Sequence, residues 1–230
     1  MKYLVLNGSP RKERSMTMNV VYRFLEGIKE TDHDAQIHVI HLASYDIQHC
    51  RSCYACWSHV SEGECVITKR NVDDMAEILE KYLAADKIIM ATPMHFFGIS
   101  SYMQKFLERT FPLIKPVYIQ AEGEHSFKDM SIKDIAVIST CKVAFNGVWD
   151  SMDALMQLLT RKKYQRIFST QPLSVKGNED KKLIENFWDA VMKAGKEFAS
   201  QGVFSETTKQ ILESTIQAMS EHIDTRNIGF

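Results

Sequence analysis

Glycine, proline and long apolar runs are scarce in this chain of 230 residues, which contains 10 Gly and 5 Pro. These low contents exclude collagen-like and long low-complexity segments. No run approaches the roughly 18 apolar residues that a membrane-spanning helix needs. The first apolar run, Tyr3 to Leu6, is shorter than the apolar region of about 7–15 residues in a signal peptide. The sequence therefore predicts a compact cytoplasmic protein without a membrane partner.

The chain also lacks an excess of charge of one sign. Its 28 Lys and Arg residues balance 29 Asp and Glu residues, which gives a formal net charge of −1. Nucleic-acid grooves and polybasic membrane anchors both need a local excess of Lys and Arg. We therefore expect no nucleic-acid partner. Hydrophobic residues make up 45% of the chain, which is enough for a sizeable core.

Short apolar runs alternate with helical patterns over about the first 170 residues. Five runs predict strands, and they cover residues 3–6, 37–42, 88–91, 135–138 and 166–168. The spacing of apolar residues predicts helices that begin near Ser15 and Asn71, and further helices around 102–107 and 152–159. Repeated β–α alternation predicts a parallel sheet covered on both faces, which is a doubly wound α/β fold. Partial alternation in residues 37–42 places that strand at an edge of the sheet.

The loop after the first predicted strand has the parts of a phosphate cradle. It offers hydroxyls at Ser9, Ser15 and Thr17, cations at Arg11 and Arg14, and the N–H groups at the start of a helix. Its spacing matches neither the dinucleotide-binding glycine motif nor the Walker loop, so it gives no support to those sites. The alternative is an ordinary strand-to-helix turn with a capping serine.

A second loop follows the third predicted strand and is rich in apolar side chains. It consists of Thr92, Pro93, Met94, His95, Phe96, Phe97 and Gly98. Aromatic side chains at the carboxyl edge of a parallel sheet favour a flat, mostly apolar ring as ligand. The alternative is a buried loop that packs under the next helix.

These motifs, taken in order, resemble those of the flavodoxin-like NAD(P)H-dependent FMN reductases, which are also called multimeric flavodoxins. The matching pieces are Asn-Gly-Ser-Pro-Arg at 7–11 with Ser15-x-Thr17, Cys53-x-x-Cys56-Trp57, the loop from Ala91 to Phe97, and the helix that ends in Phe106-Leu107-Glu108-Arg109. The resemblance covers roughly residues 1–170. It implies a flavodoxin-like FMN-binding domain at 1–172, followed by a helical extension at 173–230 that packs on the same domain or on a dimer partner.

The resemblance also implies a set of cofactor-binding residues. Ser9, Arg11, Ser15 and Thr17 would hold the FMN phosphate, residues 92–98 would wrap the isoalloxazine ring, and Thr140 and Cys141 would approach its other edge. NADH or NADPH would be the electron donor, a small molecule the acceptor, and the assembly a homodimer. The flavin does the chemistry, so no catalytic side chain is expected. His95 and Lys142 depart from the family, which usually has an aromatic residue and a glycine there.

Four of the five cysteines lie in one segment, at Cys50, Cys53, Cys56 and Cys65. Their spacing suits a [4Fe–4S] cluster, as in the iron–sulfur flavoprotein branch that the resemblance includes. A zinc site with His49 or His59 is a second alternative. A metal-free loop of reduced thiols is the third and is the working prediction.

The alternative function is a non-enzymatic FMN electron-transfer protein, with or without a cluster. The cations Arg51, Lys69, Arg70 and Arg109 are candidates for contacts with a cofactor phosphate, and the favoured prediction for each is a solvated surface charge.

Overall fold

The computed structural model describes residues 1–58, 63–114, 133–142, 147–161, 163–170 and 178–221, the last with side chains for 181–215 only. The sequence predicts a polar surface loop at 114–131 and an apolar helical stripe that ends at Ile223. Most of that loop, the zinc candidate His59 and Ile223 lie outside the described residues. In the described part of the chain, no helix is both long enough and apolar enough to cross a membrane.

Five parallel strands form one sheet, as predicted. They are β1 (Lys2–Asn7), β2 (Gln36–His41), β3 (Lys87–Pro93), β4 (Asp134–Cys141) and β5 (Tyr164–Thr170), in the order β2-β1-β3-β4-β5. Strand β2 is at an edge, which confirms the prediction from its partial alternation. The central strands β1, β3 and β4 are almost wholly buried, because helices cover both faces of a parallel sheet.

Helices connect the strands and cover the two faces. They are α1 (Met16–Thr31), α2 (Val66–Lys69), α3 (Met75–Ala84), α4 (Ser101–Arg109), α5 (Asp150–Thr160), α6 (Asn178–Gln201) and α7 (Glu206–Glu221). Side chains of α1, α6 and α7 share one core cluster with the sheet, and those of α3, α4 and α5 share the other. Helix α6 lies directly on α1, where a Cβ atom on Gly195 would come within 2.0 Å of the Phe24 carbonyl oxygen. The boundary at residue 172 stays a prediction.

The predicted start of the second helix at Asn71 is wrong. Helix α3 begins at Met75 with Asp74 as its N-cap residue, and Asn71 takes a left-handed conformation with φ 50°. The apolar spacing predicts Val72 on the apolar face of this helix, but Val72 is 58% exposed. The physical reason is Asp73, whose carboxylate pairs with Arg109 and accepts the N–H of Met75. Tertiary pairing of Asp73 therefore displaces the helix start along the chain.

Candidate functional site

The order of the strands reverses between β1 and β3, and the loops after these two strands meet at the carboxyl edge of the sheet. Backbone N–H of Gly8 donates to the carbonyl of Ala91 at 2.8 Å, and Ser100 Oγ donates to the carbonyl of Gly8 at 2.6 Å. Ligands of open α/β sheets bind at such a reversal of strand order. The topology therefore brings the two predicted loops together at the place where a ligand is expected.

The first loop wraps around three buried hydroxyl groups. Ser9, Ser15 and Thr17 are 1%, 3% and 1% exposed. Ser15 is the N-cap of α1, and its Oγ accepts the N–H of Met18 at 3.1 Å. A short 3₁₀ turn from Lys12 to Arg14 carries the chain from Ser9 to this cap. The capping serine of the alternative interpretation is thus present, and the phosphate cradle stays a prediction.

The donors of this loop fit a phosphate group. Backbone N–H groups of Met16 and Thr17 lie in the first turn of α1, where no carbonyl acceptor exists within the helix. The positive end of the helix dipole lies at the same place. Arg11 and Arg14 are exposed on the turn and supply positive charge beside it. Hydroxyls, free N–H groups and cations together make the donor set that a dianionic phosphate requires.

Asn7 and His41 hold the start of this loop in place through hydrogen bonds. The sequence did not predict this role for either residue. Asn7 Nδ2 donates to His41 Nδ1 at 2.8 Å, while Asn7 Oδ1 accepts the N–H of Ser9 at 2.9 Å. Asn7 is fully buried. A polar residue at the end of an otherwise apolar strand was the signal that could have indicated this role.

A third loop joins the site through Thr140 at the end of β4. Thr140 Oγ1 lies 2.7 Å from Thr17 Oγ1, and the carbonyl of Thr140 accepts the N–H of Met94 at 2.9 Å. Cys141, the next residue, is partly exposed. The structure thus brings Thr140 and Cys141 to the same edge as the two other loops.

The apolar loop ends in a tight turn made by two phenylalanines. His95 and Gly98 exchange two backbone hydrogen bonds, and Phe96 and Phe97 between them have φ 49° and 62°. Positive φ at both central residues defines a type I′ turn, which usually contains Asn or Gly. Each left-handed residue with a side chain costs about 1–2 kcal/mol. Phe96 is nevertheless 97% exposed.

The other predicted residues of this loop divide into two groups. Thr92 is fully buried, and its Oγ1 accepts the N–H of Ser100 at 2.9 Å, so its side chain holds the loop in place. Pro93, Met94 and Gly98 are partly exposed and His95 is exposed. The alternative of a loop wholly buried under the next helix is therefore wrong for the tip of the loop.

All four clustered cysteines line one cavity of about 370 Å³, which lies at the far end of α4 from the phenylalanine turn. Two residues beside Cys53, Ser52 and Tyr54, have positive φ values of 48° and 53° and bend the chain around it. Trp57 fixes the segment, because its ring stacks on Phe111 at 4.5 Å and its Nε1 donates to the Phe111 carbonyl at 3.1 Å.

Arg109 also lines this cavity, and its predicted place on the surface is wrong. It is 1% exposed and pairs with the fully buried carboxylate of Asp73. One terminal nitrogen of its guanidinium donates to the carbonyl of Gln48 at 2.9 Å, and the other donates to Thr68 Oγ1 at 2.8 Å. These contacts join the two ends of the cysteine segment. The free-energy cost of burying Arg109 is offset because its charge is paired with that of Asp73.

Burial raises the pKa of Asp73, but hydrogen bonds from Arg109 and from the N–H of Gln48 outweigh that effect and leave the pKa below its ordinary value. Burial likewise raises the pKa of Cys65. Backbone hydrogen bonds from Thr68 and Ile67, helped by the charge of Arg109, reverse this and lower the pKa. The pKa of Cys56 is raised, mainly by burial and then by its cysteine neighbours.

The described residues contain no group of three His, Cys, Asp or Glu side chains placed to hold a single metal ion. Thiolates around one zinc ion would lie within about 4 Å of one another, since Zn–S bonds measure about 2.3 Å in a tetrahedral site. The zinc hypothesis thus has no ligand set in this part of the chain. In a [4Fe–4S] cluster each thiolate binds its own iron, and the four cysteines that line the cavity stay a candidate ligand set for a cluster.

The sheet order defines a doubly wound α/β protein, and its three loops meet at the reversal of strand order. The Flavodoxin_2 family model, described as a flavodoxin-like fold, matches residues 1–185. The chain belongs to this family. Its five-stranded parallel sheet and C-terminal helices confirm the flavodoxin-like fold that the sequence predicted.

Two curated relatives show what the chain is similar to. An iron–sulfur flavoprotein of Archaeoglobus fulgidus is 34% identical over 110 residues, which cover 48% of this chain and 49% of the relative. An FMN-dependent NADH:quinone oxidoreductase of an Exiguobacterium species is 27% identical over 111 residues, which cover 46% and 53% of the two chains. The chain thus matches about half the length of these relatives.

Among solved structures, an FMN-dependent NADH-azoreductase from Bacillus anthracis in complex with FMN superposes with a TM-score of 0.64. The superposition covers 87% of this chain and all of the azoreductase, at 18% sequence identity. At this identity the likeness shows a common fold.

Proposed function

We propose that the chain is an FMN-dependent NAD(P)H oxidoreductase that passes electrons to a small acceptor such as a quinone. The observation that carries the proposal is the meeting of the three loops at one edge of the sheet, joined by the contact between Thr17 and Thr140. The phosphate-type donors lie on the first loop and the aromatic turn on the second. Relatives named as FMN-dependent NADH:quinone oxidoreductases support the same function.

Each group of site residues has a separate task. Ser9, Arg11, Ser15 and Thr17 bind the FMN phosphate through hydroxyls, positive charge and the N-terminal N–H groups of α1. Thr92, Pro93, Met94, His95, Phe96, Phe97 and Gly98 would form the loop beside the isoalloxazine ring, and Thr140 and Cys141 would approach its other edge. Bound FMN supplies the redox chemistry, since it accepts hydride from a nicotinamide and passes electrons on.

The protein's own contribution is to bind and orient the cofactor and to shield it from water. Buried hydroxyls fix the phosphate end, and the strained phenylalanine turn presents apolar surface where the nicotinamide and the acceptor would stack in turn. We place the enzyme in the cytoplasm as a homodimer, without a nucleic-acid or membrane partner, as the sequence predicts.

Steady-state oxidation of NADH and NADPH tests this function. The FMN-loaded protein should oxidise one of them with a benzoquinone as acceptor, in many turnovers per flavin. A protein that binds FMN but does not turn over with either nucleotide would instead be an electron carrier. A Thr17→Val variant controls for the loss of loosely bound flavin. Its rate of nucleotide oxidation should fall because FMN dissociates, and it should recover when FMN is added in excess.

A second candidate function is favoured by the cavity that the four cysteines line. Cys50, Cys53, Cys56 and Cys65 would hold a [4Fe–4S] cluster, and the protein would exchange single electrons with partners. The similarity to iron–sulfur flavoproteins supports this candidate. Iron and acid-labile sulfide analysis of anaerobically purified protein tests it. About four of each per chain would support it, and trace iron in such a preparation would reject it.

A further inference from the structure

The cysteine cavity contains a buried cation that the flavin site does not use. Arg109 lines the cavity beside Cys50, Cys53, Cys56 and Cys65, and only 1% of it is exposed. Its Nε atom is buried and has no hydrogen-bond partner among the residues that the structure describes. A buried donor without an acceptor costs free energy, so a ligand in the cavity that accepts this hydrogen bond would be stabilised.

The rest of the guanidinium is held in one orientation. Asp73 binds both terminal nitrogens of Arg109, and those nitrogens also donate to the Gln48 carbonyl and to Thr68 Oγ1. Gln48 comes just before Cys50 and Thr68 just after Cys65. The same ion pair therefore fixes both flanks of the cysteine segment and leaves the Nε–H as the remaining donor.

We propose that Arg109 is the positioning residue of an anionic iron–sulfur cluster held by the four cysteines, and that Asp73 keeps its guanidinium in place. The proposal rests on the second candidate function above. Four thiolates give such a cluster a net negative charge, and Arg109, the positive end of its pair with Asp73, is the end that lines the cavity. A one-electron reductant such as dithionite would make the cluster one charge more negative without breaking a bond. A nearby positive charge and a hydrogen bond to a thiolate sulfur therefore favour the reduced form and raise the reduction potential.

The test uses the full chain, purified without oxygen and incubated with ferrous iron, sulfide and a thiol reductant. Iron, sulfide and FMN are then counted per chain, and the dithionite-reduced protein is titrated by electron paramagnetic resonance to obtain the reduction potential. Two variants are compared with the wild type. Arg109→Lys keeps the charge and its pairing with Asp73. Arg109→Gln combined with Asp73→Asn removes both charges, so that no buried carboxylate is left without a partner.

We expect Arg109→Lys to hold about as much cluster as the wild type but at a somewhat more negative potential, because lysine keeps the charge and lacks the Nε–H donor. The double variant should either retain less cluster or titrate at a clearly more negative potential. Arg166→Gln serves as a control, because Arg166 binds Asp153 and Glu213 and does not line the cavity. Its potential should equal that of the wild type. FMN content and circular dichroism of each variant show whether the fold is kept.

A double variant that keeps the fold and has the wild-type cluster content and potential would overturn the role of Arg109. A wild-type chain that takes up neither iron nor sulfide would overturn the proposal together with the second candidate function. In that case FMN binding and nicotinamide oxidation still report separately on the first function, so the two failures are distinguishable.

Discussion

Thr17 and Thr140 are 123 residues apart in the chain, yet their hydroxyl oxygens lie 2.7 Å apart and both residues are buried. Thr17 stands in the first turn of α1, and Thr140 stands near the end of β4. The contact joins the loop with phosphate-type donors to a loop expected beside the flavin ring. It therefore lies at the centre of the proposed FMN site.

Replacing Thr17 by Val should weaken FMN binding much more than riboflavin binding. Valine keeps the shape of the side chain but removes a hydroxyl that would donate to a charged phosphate, which is worth about 1.5–3 kcal/mol, or roughly 10- to 150-fold in Kd. Fluorescence titration with the two flavins measures both constants. Thr160→Val is the control, since this buried threonine lies at the end of α5. Equal weakening of both flavins by Thr17→Val would reject the phosphate assignment.

Replacing Gly8 by Ala should destabilise the protein and weaken FMN binding together. A Cβ at this position would lie 2.6 Å from Ser100 Oγ and 2.9 Å from Met103 Cβ, so the first loop must move away from α4. Overpacking of this kind costs about 1–3 kcal/mol. Urea unfolding measures the stability, with Gly98→Ala as the control because its Cβ would meet only the His95 carbonyl oxygen, at 4.0 Å. Equal free energies of unfolding for Gly8→Ala and Gly98→Ala would contradict the close packing of Gly8 against Ser100 and Met103.

Replacing Phe96 by Gly should leave stability unchanged or slightly higher while it lowers the rate at limiting quinone concentrations. Relief of left-handed strain is worth about 1–2 kcal/mol, and the greater freedom of glycine in the unfolded chain offsets about 0.5–1 kcal/mol of it. Loss of the exposed ring should raise the apparent KM for the quinone. Phe106→Ala is the contrasting variant, because loss of this fully buried ring should lower the free energy of unfolding by about 3–5 kcal/mol. Unchanged kinetics in Phe96→Gly would remove the ring from the acceptor site.

The ion pair between Asp73 and Arg109 should make the protein sensitive to acid. The pKa of Asp73 is lower in the folded state, so its contribution to stability is complete above the unfolded value of about 3.9 and is lost as the pH falls through the folded value. Asp73→Asn should therefore be less stable than the wild type at pH 7, by about 3–5 kcal/mol. The difference should shrink below about pH 4.

Urea unfolding at several pH values measures this difference. Asp189→Asn is the control, because Asp189 forms an exposed pair with Arg23 and its loss should cost at most about 1 kcal/mol. A stability difference for Asp73→Asn that stays constant from pH 7 to pH 3 would contradict the assignment.

The sheet could be predicted from the sequence because short apolar runs are a local property of the chain. All five runs became parallel strands, and Ser15 in the loop just after the first run caps α1. The loops meet because parallel strands end at one edge. That consequence of topology needed no side-chain detail.

Long-range polar pairing was not visible in the sequence. Arg109 follows a helical pattern that ends in charged residues, and nothing local indicates that it meets a carboxylate 36 residues away. The same pair moved the start of α3 away from Asn71. The turn at Phe96 and Phe97 was also missed, since type I′ turns are recognised by Asn and Gly, which are absent from its two central positions.

An absorption spectrum of the purified protein, taken without oxygen before and after the addition of NADPH and then NADH, tests the central claim most directly. The proposed function predicts flavin bands that bleach when one of the nucleotides is added and return when a quinone follows. Flavin bands that neither nucleotide bleaches would contradict a nicotinamide-dependent reductase and favour the electron carrier. A colourless protein that gains no flavin bands on incubation with FMN would contradict the flavin site itself.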